Sequence, residues 1–242
     1  MKTEHLHFPC IESTNLYAKE HHKDFDPEAL TVISADEQTR GRGREGRSWD
    51  SPKNANCTIT FCSFAPKSFP HLQNFGQVLS LACIDLLKSL DIPCRIKWPN
   101  DILIEGKKAA GILCDIITSR SHTFIANGIG LNVNMTEEQL SYIPTKAASL
   151  ACVAGREFDI GQIRQRLTEI YRQYLSTFLK EGFSPFIERY RGSVPYRPDQ
   201  KISFHSREEI TQGFFHSLAD DGSLNLSLSD NKVKNFVNIE TI

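Results

Sequence analysis

Residues 40–49 read Arg-Gly-Arg-Gly-Arg-Glu-Gly-Arg-Ser-Trp, an order that neither a helix nor a strand accommodates. Each glycine inside a regular element costs about 0.5–1 kcal/mol relative to alanine. The chain must therefore pass through an irregular loop here, between a strand-like run at Leu30–Ala35 and another at Cys57–Phe64. Glycines let backbone amides approach an anion. The guanidinium groups of Arg40, Arg42, Arg44 and Arg47 offer bidentate charged donors, and Trp49 offers a flat face for a base. A solvated loop with no ligand has the same composition, so this segment alone does not decide between them.

Three other readings of the loop fail on their neighbours. Gly41-x-Gly43-x-x-Gly46 fits the dinucleotide fingerprint by letter, but that fingerprint needs a helix opening at the loop. Residues 47–56 follow instead, with Pro52 and Asn54 inside them, and read as turn. A phosphate-binding P-loop would need lysine where Arg47 stands, and the same helix. A nucleic-acid patch of the arginine-glycine kind would need net positive charge. Asp36, Glu37, Glu45 and Asp50 cancel the four arginines, so residues 36–50 sum to zero.

Composition bounds the rest. The 242 residues suffice for one large domain or a large and a small one. A formal net charge of −1 gives no global reason to bind nucleic acid or an anionic membrane. No apolar stretch approaches membrane-spanning length, and residues 1–15 have no signal-peptide core. Cys10, Cys57, Cys62, Cys83, Cys94, Cys114 and Cys152 form an odd set without a Cys-x-x-Cys pair, and most sit among apolar residues. Buried free thiols are expected, and the eight histidines show no metal-ligand spacing. The expectation is a soluble cytoplasmic protein without a structural metal.

Periodicity predicts a mixed α+β domain over 1–194 followed by a small β barrel over 195–242. Ser13-Thr14-Asn15 caps a short helix at Leu16–His22. Cys57–Phe64 alternates as a half-buried strand does, and Leu72–Leu90 carries a helical apolar stripe. Strand-like runs follow at Arg95–Trp98, Ile102–Ile104, Ala109–Ile117 and Thr123–Val133, with a turn at Glu105-Gly106-Lys107. Ile160–Leu179 returns to helix, and Phe183–Tyr190 is a second helical candidate. Beyond Pro195 only short strands remain, at Lys201–His205, Ile210–Leu218 and Ser223–Leu228, with Asp220-Asp221-Gly222 as a hairpin turn.

Three further constellations carry chemistry. Lys97-Trp98-Pro99-Asn100-Asp101 presents a lysine, an amide and a carboxylate from a corner between strands, although proline, asparagine and aspartate also make plain turns. Lys107-Lys108-Ala109-Ala110-Gly111-Ile112-Leu113 enters a strand of small residues, where an ammonium has room to face a ligand. A solvent-exposed hairpin lysine would read the same. Gly128-Ile129-Gly130-Leu131-Asn132-Val133-Asn134 puts two glycines inside a strand, which marks a bulge or close approach by a ligand or another backbone.

In order and spacing, these four segments resemble the biotin protein ligases, the biotin–acetyl-CoA-carboxylase ligases. The resemblance covers essentially the whole chain and implies a class II synthetase-like mixed β-sheet with helices, plus an SH3-like C-terminal β-barrel. It implies that biotin and ATP give biotinoyl-5′-AMP and pyrophosphate, after which a lysine of a biotin carboxyl carrier protein takes the biotinoyl group. By motif position, Ser13, Thr14, Asn15, Gln38, Gly43, Gly111 and Gly128 would contact biotin, together with Arg42, Arg44 and Lys108. Arg42, Arg44, Arg47, Lys97, Asn100 and Lys108 would face ATP, with Trp49 on the adenine and Asn132 at its edge. Lys108, Arg44 and Asp101 would be catalytic, with Lys108 bridging the biotin carboxylate and the α-phosphate, and Asn100 and Asp101 organising the metal–phosphate side or the incoming lysine. Mg²⁺ is implied by ATP and not by a ligand pattern.

Some family members begin with a helix-turn-helix domain. Here the first biotin motif starts at residue 13, so a monofunctional ligase without DNA binding is expected, as monomer or homodimer. The alternatives are a lipoate–protein ligase, which shares the adenylate chemistry, and a non-catalytic biotin sensor. The glycine-rich loop is expected to order over the adenylate and shield its anhydride from water.

Overall fold

The computed structural model describes residues 1–70, 72–206, 209–228, 232–237 and 239–241. A seven-stranded sheet forms the centre. Its strands are β1 (Lys2–Phe8), β2 (Ala29–Ala35), β3 (Asn56–Pro66), β4 (Arg95–Lys97), β5 (Asp101–Ile104), β6 (Lys107–Thr118) and β7 (His122–Asn132), ordered β1-β2-β3-β7-β6-β5-β4. The β1–β2 pair is parallel and the remaining neighbours are antiparallel. Helices α1 (Thr14–Glu20), α2 (Asn74–Lys88), α3 (Glu137–Ser141), α4 (Leu150–Ala154), α5 (Ile160–Glu181) and α6 (Ile187–Ser193) complete this part.

The period of two along the strands separates core from site. Cys57, Ile59 and Phe61 of β3 and Ile125, Ile129 and Leu131 of β7 enter one apolar core with Phe75, Val78, Leu79 and Ala82 of α2 and Leu167, Tyr171 and Leu175 of α5. The alternate residues Thr58, Gly128, Gly130 and Asn132 line the opposite face. Beside them Ala18 of α1 packs with Ile33, Cys62, Phe124 and Ala126 in a second cluster. The strand at 57–64 is therefore not half-buried, as its alternation predicts. Asn56–Ser63 are buried throughout because β3 is central and covered on both faces.

Local sequence explains the helix ends. Ser13 caps α1 by accepting from the Leu16 amide, and Asp159 caps α5 by accepting from Gln162. Gly182 closes α5 with φ +69. The predicted helix at Phe183–Tyr190 begins later, at Ile187, because Phe183 and Phe186 turn inward against Tyr190 and Phe178. No helix among the described residues is long and apolar enough to cross a membrane.

Strands β8 (Lys201–Ser206), β9 (Glu209–Leu218), β10 (Leu224–Ser227), β11 (Val233–Phe236) and β12 (Glu240–Thr241) form the small antiparallel C-terminal sheet, ordered β11-β10-β9-β8-β12. Among the described residues no pairing of β11 with β12 closes it into the expected barrel. Its β9–β10 turn docks onto the larger part. The Gly222 carbonyl accepts from Trp98 Nε1 at 3.0 Å and from Gln77 Nε2 at 2.9 Å, and Asp221 O accepts from Asn74 Nδ2 at 2.8 Å. At the other end, Thr241 Oγ1 donates to Trp98 O at 2.7 Å.

Candidate active site

One cleft of about 370 Å³ opens on the site face of the large sheet. Every residue assigned a contact from the sequence lines it. Ser13, Thr14, Asn15 and Gln38 form one end; Arg42, Gly43, Arg44, Arg47 and Trp49 cover it; Lys97, Asn100, Asp101 and Lys108 form a wall; Gly111, Gly128 and Asn132 belong to the floor. Ser48, Asp50, Thr58, Trp98, Gly130, Pro144, Thr145 and Thr241 also line it without having been singled out as ligand contacts.

The floor explains the strand glycines, because Gly111 pairs with Gly130 across β6 and β7. A Cβ at Gly128 would lie 2.0 Å from Asn15 Oδ1, and one at Gly130 would lie 2.3 Å from Trp49 Nε1. Neither glycine marks a bulge or a backbone approach. Side chains of the site itself occupy the space, and the Trp49 indole also comes within 3.1 Å of the Cβ position of Gly111.

At the α1 end, Asn15 Nδ2 donates to Leu113 O and to Asp115 Oδ2, both at 3.1 Å. Its Oδ1 lies 2.5 Å from Thr60 Oγ1, which is 2.8 Å from Thr14 Oγ1, itself 3.0 Å from Gln38 Oε1. Two hydroxyl protons serve these three oxygen–oxygen contacts. Gln38 Oε1 already accepts from the Thr14 amide at 2.8 Å. This corner is short of donors and suits a ligand that brings N–H groups.

The loop over the cleft folds as a small hairpin. Gly43 N donates to Arg47 O at 2.7 Å and Trp49 N to Gly41 O at 2.9 Å, around a tight turn in which Glu45 and Gly46 take φ 55 and 75. Arg44 reaches across to Asn100 Oδ1 at 3.0 Å. Asn100 in turn donates Nδ2 to Ile112 O at 2.7 Å, so its carbonyl faces the arginine.

Lys108 lines the cleft, and its ammonium is paired there. Its Nζ lies 2.6 Å from Asp101 Oδ1 and 5.6 Å from the centre of the Trp49 ring. Its backbone is held on both sides by residues 146–148, with Lys108 N donating to Lys146 O and Ala148 N to Lys108 O, each at 2.9 Å. Asn132 spends its amide N–H on Ala148 O at 3.1 Å, leaving a buried Oδ1 with no protein partner. The Trp49 Nε1 is likewise buried without one. These two atoms, an acceptor and a donor, are the cleft's unsatisfied polar groups among the described residues.

Among the described residues no three His, Cys, Asp or Glu side chains are placed to hold a metal ion. The carboxylates on the cleft wall are Asp50 and Asp101, and the latter is engaged with Lys108.

The biotin/lipoate A/B protein ligase family model matches residues 7–134, just over half of the 242-residue chain. The bifunctional ligase/repressor BirA of Bacillus subtilis is 31% identical over 186 residues, which are 74% of this chain and 56% of that protein. The chain thus spans about half the length of such curated relatives. The biotin–[acetyl-CoA-carboxylase] ligase of Paracoccus denitrificans is 27% identical over 205 residues, 79% of this chain and 82% of that one. A solved biotin protein ligase from Aquifex aeolicus, in complex with biotin and ATP, superposes with TM-score 0.82 at 25% identity, covering 99% of this chain and 98% of that one. With its motifs gathered on one cleft, the chain belongs to the biotin/lipoate A/B protein ligase family.

Proposed function

We propose that this chain is an ATP-dependent biotin–protein ligase whose acceptor is a lysine on a biotin carboxyl carrier domain. The observation that carries this reading is the convergence of four separated motifs on one glycine-floored cleft, donor-hungry at one end and cationic along its wall. The names of the relatives and the Aquifex complex with biotin and ATP support it.

The ureido ring of biotin brings two N–H donors and a carbonyl acceptor, which suits the corner of Thr14, Asn15, Gln38 and Thr60. The glycine floor lets Asn15 and Trp49 lie close against the sheet, which leaves the cleft between them for the flat ring and the chain leading to its carboxylate. In the first step a carboxylate oxygen attacks the α-phosphorus of ATP and pyrophosphate leaves. Negative charge grows on the phosphoryl oxygens, and Lys108, Arg42 and Arg44 stabilise it from fixed positions. The Asp101 contact holds the Lys108 ammonium in place before substrate arrives. Trp49 flanks the adenine, and the partnerless Asn132 Oδ1 accepts from its amino group. Magnesium accompanying ATP would be held by phosphate oxygens and water, with the cleft carboxylates Asp50 and Asp101 as the protein groups available to it.

In the second step the neutral amine of the acceptor lysine attacks the acyl carbon, AMP leaves, and the amine loses a proton. Asp101, beside Lys108, is the carboxylate placed to take it. The test is transfer of biotin to a purified carrier domain with ATP and Mg²⁺. Transfer by the parent and its loss on Lys108→Ala supports the reading. Transfer of lipoate in place of biotin would move the chain to the other branch of its family, and neither transfer would leave the sensor.

A further inference from the structure

Asp115 lies outside the cleft, yet the orientation of a cleft side chain depends on it. On β6 it follows Gly111 and Leu113 at intervals of two, so all three share the sheet's site face. Its Oδ2 accepts from Asn15 Nδ2 at 3.1 Å, and its Oδ1 pairs with Lys19 Nζ at 3.3 Å. Lys19 sits one helical turn after Asn15 on α1, so the carboxylate bridges two points of the helix that carries Ser13-Thr14-Asn15.

An asparagine amide can sit either way round in a site that offers mixed partners. Here both partners of Nδ2, the Leu113 carbonyl and the Asp115 carboxylate, are acceptors only. Reversing the amide would set its oxygen against two acceptors and its nitrogen against Thr60. The Leu113 carbonyl and the Asp115 carboxylate together fix Asn15 Oδ1 toward Thr60 and Thr14, and so create the acceptor-rich corner.

We propose that Asp115, braced by Lys19, is a positioning residue for the substrate end of the cleft. It sets affinity for the ligand with N–H donors and leaves the nucleotide end untouched. This rests on the biotin reading given above, and the experiment separates the two.

Biotin and ATP binding are each measured by calorimetry on the full chain, for the parent, Asp115→Leu, Asp115→Asn and Asn15→Ala. Asp115→Leu should weaken biotin about tenfold, the scale of one lost hydrogen bond to a charged group, with ATP affinity and melting temperature near the parent's. Asp115→Asn keeps an acceptor for Asn15 and should recover most of the loss. Added to Asn15→Ala, Asp115→Leu should cost nothing more, because the two act through one contact.

Equal losses for biotin and ATP, or additive losses in the double variant, would make Asp115 a plain structural residue and overturn the proposal. Unchanged biotin binding in Asp115→Leu would overturn it with the biotin reading intact. A parent that binds no biotin would overturn both. If Asp115→Leu does not fold, the Asp115→Asn and Asp115→Ser pair carries the same comparison.

Discussion

The Nζ of Lys108 and Oδ1 of Asp101 lie 2.6 Å apart, across the bulged pairing of β5 with β6. Both ends of that ion pair are about a quarter exposed, so water screens part of it, and its use is in placement more than in stability. Lys108→Ala should lower the rate of biotin-dependent pyrophosphate release by about 10²–10³, the usual loss for one preorganised donor to a developing anion. Asp101→Asn keeps the shape and removes the charge. It should slow transfer to the acceptor amine more than it slows adenylate formation. Single-turnover measurement of the two steps checks this, and equal slowing of both would refute a role in accepting the amine proton.

Arg44 ties the covering loop to Asn100 at 3.0 Å. Removing that tie while leaving the floor intact should let the intermediate escape. Arg44→Ala is expected to release free biotinoyl-AMP faster than the parent in a trapping assay. Release no faster would mean that the loop binds substrate without protecting the intermediate.

Much of this cleft was legible in the sequence, and the reason is local. Gly128, Gly130, Lys108 and the 40–49 loop each break a rule of their element, and such breaks are where sites lie. What stayed hidden depends on contacts between distant positions. Asp115 meets Asn15 across 100 residues and Thr241 meets Trp98 across 143, and neither residue type is unusual where it stands. Strand β1 was also unreadable. Lys2–Phe8 is a polar edge strand with only part of its side-chain surface covered, so it lacks the apolar run of its neighbours.

The floor makes a prediction of its own. Gly130→Ala would put a methyl group 2.3 Å from Trp49 Nε1, so the indole must move. Overpacking of this kind costs about 1–3 kcal/mol. Trp49 and Trp98 are the only two tryptophans, and Trp98 is buried at the cleft's edge with its indole N–H held by the Gly222 carbonyl. Intrinsic fluorescence should therefore shift to the red as Trp49 gains solvent, while nucleotide binding weakens. An unshifted spectrum with normal binding would show that the indole and a methyl share the floor.

Trp98 is held at both ends by the C-terminal sheet, through its indole N–H to Gly222 and its carbonyl from Thr241. It immediately precedes the Pro99-Asn100-Asp101 corner, and Thr241 itself lines the cleft. Thr241→Val removes the hydroxyl and leaves the Trp98 carbonyl without that donor. It should reduce kcat for adenylate formation several-fold, with Thr241→Ser close to the parent. A C-terminal sheet that merely sits nearby would leave both variants unchanged.

Thiol chemistry tests the burial of the core directly. Burial pushes the Cys57 and Cys114 thiols up to about 12 and Cys94 to about 11, from an ordinary value of 9.0. Cys62 and Cys83 are raised for the same reason. Only Cys10 and Cys152 are exposed, so a thiol reagent at pH 8 should react quickly with two groups in the folded protein and with seven after unfolding. The same shifts fix the sign of the alkaline response. Between pH 9 and about 11 the unfolded chain releases thiol protons that the folded chain retains, so stability is full below pH 9 and falls as pH rises. The melting temperature should drop between pH 8 and pH 10.5, and replacing Cys57 with alanine should shrink that drop. A melting temperature flat across this range, or fast reaction of Cys57 and Cys62 at pH 8, would contradict the burial of β3 on both faces.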